Sequence, residues 1–365
     1  MSSIRVRALT LTILCAGAAA PGLSAAAERF QLRHNLAGTL PGELVAIPAS
    51  SGWVGSMTYT HSNVHKVTGA DGERLNLAIP GGVVPLPAPA PAALYPTYPA
   101  TTASVDFRAR LRQVNLSLSY ATEARPTTGR FVVGANLPYL QREQTTRLQA
   151  QTPALSWRPG VPAATQAAVG SSFNQSYQAG LAAQAAAESG EISGFGDAEV
   201  YGGWIAPESP VRLAATAALV VPTGRYDAAA GVDAGQGDFF TFKPSVRAAW
   251  QLDEKLVTAG KLVFGFNSRN RDTNVRSGHW AGFEAAVAYR LPIALVGVNG
   301  VHVQQLRDDD NNPFGASRFR ATSAGLFITS ELPAIGSLTF QYTAMLESRN
   351  ARHGNVTQLR LTRAF

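Results

Sequence analysis

Cysteine is almost absent from this 365-residue chain: Cys15 is the single one, and it lies near the N-terminus. If the leader is removed, no disulfide and no thiolate metal site remains. Lysine is nearly as scarce. Lys66, Lys243, Lys255 and Lys261 are the only ones, so the net charge of +7 rests on arginines scattered singly along the chain. Nucleic-acid binding needs a basic face interleaved with aromatics, which this pattern lacks. Long apolar runs are missing as well. Beyond the N-terminus no stretch approaches the roughly 18 residues of a membrane helix. No phosphate-cradling Gly-x4-Gly-Lys-Ser/Thr sequence occurs, and nothing selects a nucleophile among the serines and histidines. His61 and His65 stand four apart, about 13 Å on a strand, too far to share a metal. Asp308-Asp309-Asp310-Asn311-Asn312 offers oxygen ligands but lacks the glycine of a calcium loop, and Pro313 follows. No metal, cofactor or catalytic residue is expected.

An export leader is present. Arg5 and Arg7 precede an apolar stretch from Ala8 to Ala20, and Ala25-Ala26-Ala27 before Glu28 fits a small-x-small cleavage site. Lipoprotein processing at Cys15 is the competing reading, opposed by bulky Leu14. The chain divides into a signal peptide over 1–27, a periplasmic N-terminal segment over 28–52 without sustained period, and a barrel over 53–365. An exported chain without membrane helices can cross a bilayer only as a closed barrel, since only that satisfies every backbone N–H and C=O.

From Trp53 onward the sequence alternates with period two. Trp53, Met57 and Tyr59 oppose Val54, Ser56 and Thr58; Phe131, Val133, Leu137 and Tyr139 form another apolar row, with Asn136 facing away. Phe242, Val246 and Trp250 oppose Lys243, Ser245 and Arg247. Between Val105 and Tyr120 the apolar parity changes, from odd to even positions. A slip of one residue exchanges the faces of a strand, so a bulge is predicted near Gln113. Proline-rich Pro85–Pro91 and the Ala/Gln/Ser-rich 148–193 read as long loops, with a short helix over Tyr177–Glu188. Ile293–Gln305 is apolar on both faces at its start, which leaves its register open. The count is about twelve strands, even as in bacterial single-chain barrels, with long and short connections alternating. The fold class is therefore all-β: a transmembrane antiparallel up-and-down β-barrel. Aromatics recurring near strand ends (Trp53, Tyr120, Phe131, Tyr139, Trp250, Tyr289) fit interfacial girdles better than the core of a soluble sandwich.

The last strand is amphipathic. Leu359, Leu361 and Phe365 fall on a lipid face, and Gln358, Arg360 and Thr362 on a lumen face. It is expected to pair with the strand from Trp53 and close the barrel. Phe365 is read as the membrane-insertion signal for the outer-membrane assembly machinery. Arg363 fits least well and is expected to snorkel to head groups at the rim.

Several stretches resemble the outer-membrane family named for the meta-pathway of phenol degradation. They are Gly194-Phe195-Gly196-Asp197 before a strand reaching Trp204; Pro222-Thr223-Gly224-Arg225-Tyr226-Asp227; Phe242-Lys243-Pro244; Gln304-Gln305-Leu306-Arg307-Asp308-Asp309; and Ser348-Arg349-Asn350 with the Leu359–Phe365 terminus. The resemblance covers residues 50–365 and is strongest after 190. It implies an outer-membrane barrel that passes small hydrophobic or aromatic compounds.

The lumen-facing candidates are Asp106, Arg108, Arg110, Asp197, Glu199, Lys243, Arg247, Lys261, Glu284, Arg320 and Arg360. Both signs are present, so they suit either a narrow polar pore or a salt-bridged filling. The leading functional reading is a passive channel in the cell outer membrane, in contact with the bilayer and lipopolysaccharide. A structural or surface-binding barrel and a barrel-embedded hydrolase are the alternatives.

Overall fold

A computed structural model describes residues 30–35, 37–39, 51–125, 127–312, 317–333 and 335–365. The expected leader lies outside them. Among the described residues, sixteen strands and one long helix follow in order. Strand β1 spans Gly52–Val67, and three short strands follow it: β2 (Asn76–Ile79), β3 (Gly82–Val83) and β4 (Thr97–Tyr98). Then come β5 (Thr101–Ala121), β6 (Arg130–Gln149), helix α1 (Ala163–Ala187), β7 (Gly190–Phe195), β8 (Ala198–Ile205) and β9 (Val211–Val221). The remainder are β10 (Thr241–Gln251), β11 (Leu256–Asn267), β12 (Trp280–Arg290), β13 (Leu295–Gln305), β14 (Arg320–Leu332), β15 (Gly336–Arg349) and β16 (Arg352–Ala364).

Every neighbouring pair is antiparallel, and β1 pairs with both β5 and β16, so the sheet closes into a twelve-stranded barrel. Strands β7 and β8 both pair with β6 and serve as one wall strand, interrupted at Gly196-Asp197. The closing pair runs from Val54↔Ala364 to Val67↔Arg352, the partnership expected of the terminal strand. Closure leaves no free edge, which a lipid environment would penalise.

The outside is apolar where a membrane would surround it. Trp53, Met57 and Tyr59 on β1, Leu116, Leu118 and Tyr120 on β5, and Phe131, Val133 and Tyr139 on β6 are all exposed. Leu359 and Phe365 join them, and the Arg363 guanidinium stands 5.7 Å from the Phe365 ring. The start of β1, the C-terminus and the connections 122–129, 206–210, 252–255, 291–294 and 333–335 share one end, the turn end. Longer connections gather at the other, where α1 and β2–β4 build a cap.

Strands β5 and β6 are 21 and 20 residues long. A tilted membrane strand needs about 9–11. The surplus rises beyond the apolar band and explains the parity change. No bulge occurs near Gln113: the β5–β6 register runs unbroken from Ser104↔Gln149 to Ala121↔Val132. Even-numbered β5 residues point outward throughout, lipid-facing at Leu116–Tyr120 and water-facing above. Asp106, Arg108 and Arg110 are therefore on the outer face, which corrects their assignment to the lumen. Arg320 needs the same correction. It shares its face with exposed Leu326 and Ile328 across an unbroken β13–β14 register. Val105, Phe107, Val303 and Ala321 point inward instead, and are buried against material filling the barrel. The open register of β13 resolves similarly: Val296 and Val298 face out, while Val301 and Val303 face in.

Helix α1 starts fourteen residues earlier than expected. Its buried stripe falls on every fourth residue: Val169, Phe173, Leu181 and Ala185, with Tyr177 partly covered. Gly170, Ser171, Ser172 and Gly180 weaken local helix preference and hide the stripe in the sequence. The helix packs on Val84, Leu86 and Val161.

Candidate functional site

The barrel interior is occupied by the chain's own N-terminal segment. Phe30 and Leu32 bury their side chains among the inward residues of the long-loop end: Phe30 beside Val67, Val105 and Phe107, Leu32 beside Trp280, Val303 and Phe319. These anchors meet the apolar part of the upper interior, Val67, Val105, Phe107 and Val303, which stands among buried polar residues such as Gln144, Thr146, Asn267 and Gln305. Gly265 accommodates the Trp280 indole, since a Cβ there would lie 1.9 Å from Trp280 Cε2.

Arg33 fastens the segment at the long-loop end. Its Nη2 donates to Asp197 Oδ2 at 2.8 Å and to Gly237 O at 2.7 Å, and its Nη1 donates to Phe239 O. The guanidinium carbon lies 3.9 Å from the Phe239 ring centroid. A buried cation with fixed acceptors and a stacked ring is the setting arginine suits best. Asp197 reaches the lumen because the wall strand breaks at Gly196. Its carboxylate also accepts from Gly224 N at 3.1 Å and Gln236 N at 3.0 Å. Thr223 Oγ1 ties the same junction, donating to Gly196 O at 3.2 Å and accepting from Ala198 N at 2.8 Å. Two of the sequence stretches noted above, 194–197 and 222–227, thus meet at one point, and that point holds Arg33.

Beyond Arg33, the His34 ring packs 5.0 Å from that of Trp280. The segment then turns at Asn35, whose Oδ1 accepts from Ala37 N at 3.1 Å. The turn is pinned to the far wall: Gln341 Nε2 donates to Ala37 O at 2.8 Å, and Asn299 Nδ2 to the same oxygen at 3.4 Å. Gly38 has φ +79, and a Cβ there would lie 2.7 Å from Val301 Cγ2. Thr39 N donates to Glu284 Oε2 at 2.7 Å, and Lys261 Nζ donates to Thr39 Oγ1 at 2.8 Å.

Among the candidates, Asp197, Glu199, Lys243, Arg247, Lys261, Glu284 and Arg360 are on the inner face. Lys243 pairs with Glu199, which also accepts from Asn136 Nδ2 at 3.0 Å; Lys261 lies 3.5 Å from Glu284. Opposite charges are joined strand to strand, and then to the plug. Sequence reasoning did not reach Arg33, His34, Thr39, Asn299, Gln341 or Trp280. The plug has no period to read, and its partners come from strands far away in sequence.

The remaining interior space is divided. A cavity of about 140 Å³ lies between the plug and the wall of β1, β5 and β14–β16, lined by Phe30, Leu32, Val64, Ala109, Met345 and Val356 with Arg142 and Arg352. A second, of about 410 Å³, opens at the turn end beside Arg212, Asp253 and Arg290. On the lipid-facing side, Gly202, Ala215, Ala217 and Pro244 leave a depression of about 610 Å³ flanked by Trp204 and Phe264.

The acidic run at 308–310 staples the long-loop end. Asp308 pairs with Arg318 at 3.1 Å, Asp309 accepts from Gly278 N at 2.8 Å, and Asp310 pairs with Arg276. The adjacent guanidinium of Arg276 holds the Asp310 carboxyl below its ordinary range. His65 does not meet His61; its ring stands edge-on to that of His353 at 5.2 Å.

A solved structure shares this architecture. An outer-membrane channel of Pseudomonas putida F1 superimposes with a TM-score of 0.57 at 16% identity, covering 90% of this chain and 100% of that one. The β domain of the Bordetella autotransporter BrkA gives 0.44 at 10% identity, over 87% and 100%. A monoaromatic hydrocarbon channel, CymD, gives 0.41 at 11%, over 91% and 99%. No curated protein sequence matches the chain. The family model described as "Putative MetA-pathway of phenol degradation" matches residues 96–361, and the chain belongs to that family.

Proposed function

We propose that this protein is a passive channel of the cell outer membrane that admits small hydrophobic or aromatic compounds. The observation that carries the reading is the cavity of about 140 Å³ between plug and wall, where the apolar side chains of Phe30, Leu32, Val64, Leu111, Met345 and Val356 stand beside polar ones such as Gln31, Ser62, Gln236 and Thr343. A volume of about 150 Å³ is enough to hold a single benzene ring. Arg142, which donates to Asp233 O at 2.8 Å, and Arg352, over the Phe107 ring, place charge at its border. The family's name, the outer-membrane channel of P. putida F1 and the expected leader support the same reading. The lumen charges serve as a paired filling that seats the plug, rather than as an open ion path. In this reading, lipopolysaccharide surrounds the long-loop end, and the assembly machinery recognises the terminus at Phe365.

Reconstituted protein is expected to speed phenol and toluene entry into liposomes while leaving arabinose entry slow. Equal rates with and without protein for the aromatic solutes would overturn the reading.

The packed cap of α1 and β2–β4 favours a second reading, a surface that engages a partner. Deleting residues 75–98 would then abolish that binding and leave aromatic flux unchanged.

A further inference from the structure

One column of arginines has no role inside the barrel. Arg108, Arg110 and Arg112 occupy successive outward positions of β5, directly above the lipid-facing Leu116, Leu118 and Tyr120 of the same strand face. The uppermost aromatic row on this side is Tyr59–Val114–Tyr139, and Arg112 stands one outward position above it, beside His61. Outward side chains on a strand recur about every 6.6 Å, so Arg108 and Arg112 are about 13 Å apart. The column therefore begins where the hydrocarbon band ends and climbs through the head-group layer.

Its donors are available. Among the described residues, Arg110 and Arg112 are in no ion pair. Arg108 is 72% exposed and lies 3.7 Å from Asp106, whose carboxylate is shared with Arg74 at 3.5 Å. The other acids on this face are Glu143, opposite Arg110, and Glu191, which accepts from Gln141 at 2.6 Å. On the other flank, Asn63, Asn355 and Thr357 share the outward face of β1 and β16 and carry no charge.

We infer that this column is a binding site for the phosphates of a phosphorylated glycolipid in the outer leaflet. The inference rests on the outer-membrane reading above. Guanidinium groups bind phosphate oxygens through two parallel N–H donors, and three of them spaced along a strand match a head group carrying separated phosphates. The amide and hydroxyl side chains of β1 and β16 suit the sugar hydroxyls between and beside those phosphates. An acidic protein would find the same charges, but the height of the column, immediately above the aromatic row, favours a lipid already held in the membrane.

The test uses the full mature chain in detergent, titrated with bisphosphorylated lipid A, dephosphorylated lipid A and phosphatidylglycerol, with occupancy read by native mass spectrometry. The bisphosphorylated form is expected to bind at least tenfold more tightly than the other two. The triple variant R108Q/R110Q/R112Q is expected to lose that margin, and R108K/R110K/R112K to recover part of it. Wild-type affinity in the glutamine variant would overturn the site. So would equal binding of phosphatidylglycerol, which would mark only general attraction to anions. Aromatic flux and the heat-dependent gel mobility of a folded barrel are read on the same samples. Their loss in the wild-type protein would count against the channel or the barrel, whereas loss of lipid margin alone counts against the arginine site.

Discussion

Arg33 is the side chain that ties the plug to the wall at the long-loop end. It joins the plug to Asp197, to two carbonyl oxygens of the 233–241 stretch and to the Phe239 face. Removing one partner of a buried pair costs about 3–5 kcal/mol, because the other is left uncompensated. Arg33→Ala is expected to weaken plug docking by a few kcal/mol and to raise both single-channel conductance and phenol flux severalfold, without loss of the folded barrel. Arg33→Lys keeps the charge but not the fork, and should fall between. Unchanged conductance in R33A planar-bilayer recordings would show that Arg33 does not hold the plug in place. Of this residue's setting, only Asp197 was legible in the sequence, because it sits in a strand-like segment with a glycine before it. Arg33 lies in a stretch with no alternation, and its partners come from residues about two hundred positions away.

At the scale of the element, β5 is the instructive case. Alternation by itself reads Val105, Phe107 and Ala109 as one surface and Leu116, Leu118 and Tyr120 as the other, and the simplest link between them is a bulge. The register is continuous instead. What changes along the strand is the surroundings: lipid outside and polar groups inside at one height, water outside and an apolar plug inside at the next. Cys15 is the chain's single cysteine and lies in the expected leader, so introduced single cysteines can map this directly. Arg108→Cys and Arg110→Cys are expected to react with a membrane-impermeant maleimide on intact cells, and Phe107→Cys is expected to be at least tenfold slower. The reverse order would restore the bulge. Helix α1 shows the opposite difficulty. Its apolar stripe exists, but glycines and serines between the anchors obscure it, and only packing on Val84, Leu86 and Val161 completes it.

For the molecule as a whole, closure joins the first strand to the last. The β1–β16 pair seals the barrel, and it ends with Phe365 N donating to Trp53 O at 2.8 Å. Deleting Phe365 is expected to lower the yield of heat-modifiable barrel in the outer membrane severalfold, with the shortfall found as degraded or periplasmic chain. Undiminished yield would remove that residue's proposed role in insertion. The sequence by itself determined the barrel class, the strand count, the closing partnership and the lipid-facing rows, because lipid imposes one uniform demand on every outward side chain at its depth. It also marked the glycine-bearing junctions at 194–197 and 222–227. Only the tertiary structure decided what fills the barrel, and with it the facing of Asp106, Arg108, Arg110 and Arg320. A strand records which residues share a face, but whether that face is inside or outside depends on what lies against it at each height, and here that is a plug fixed by contacts between distant residues.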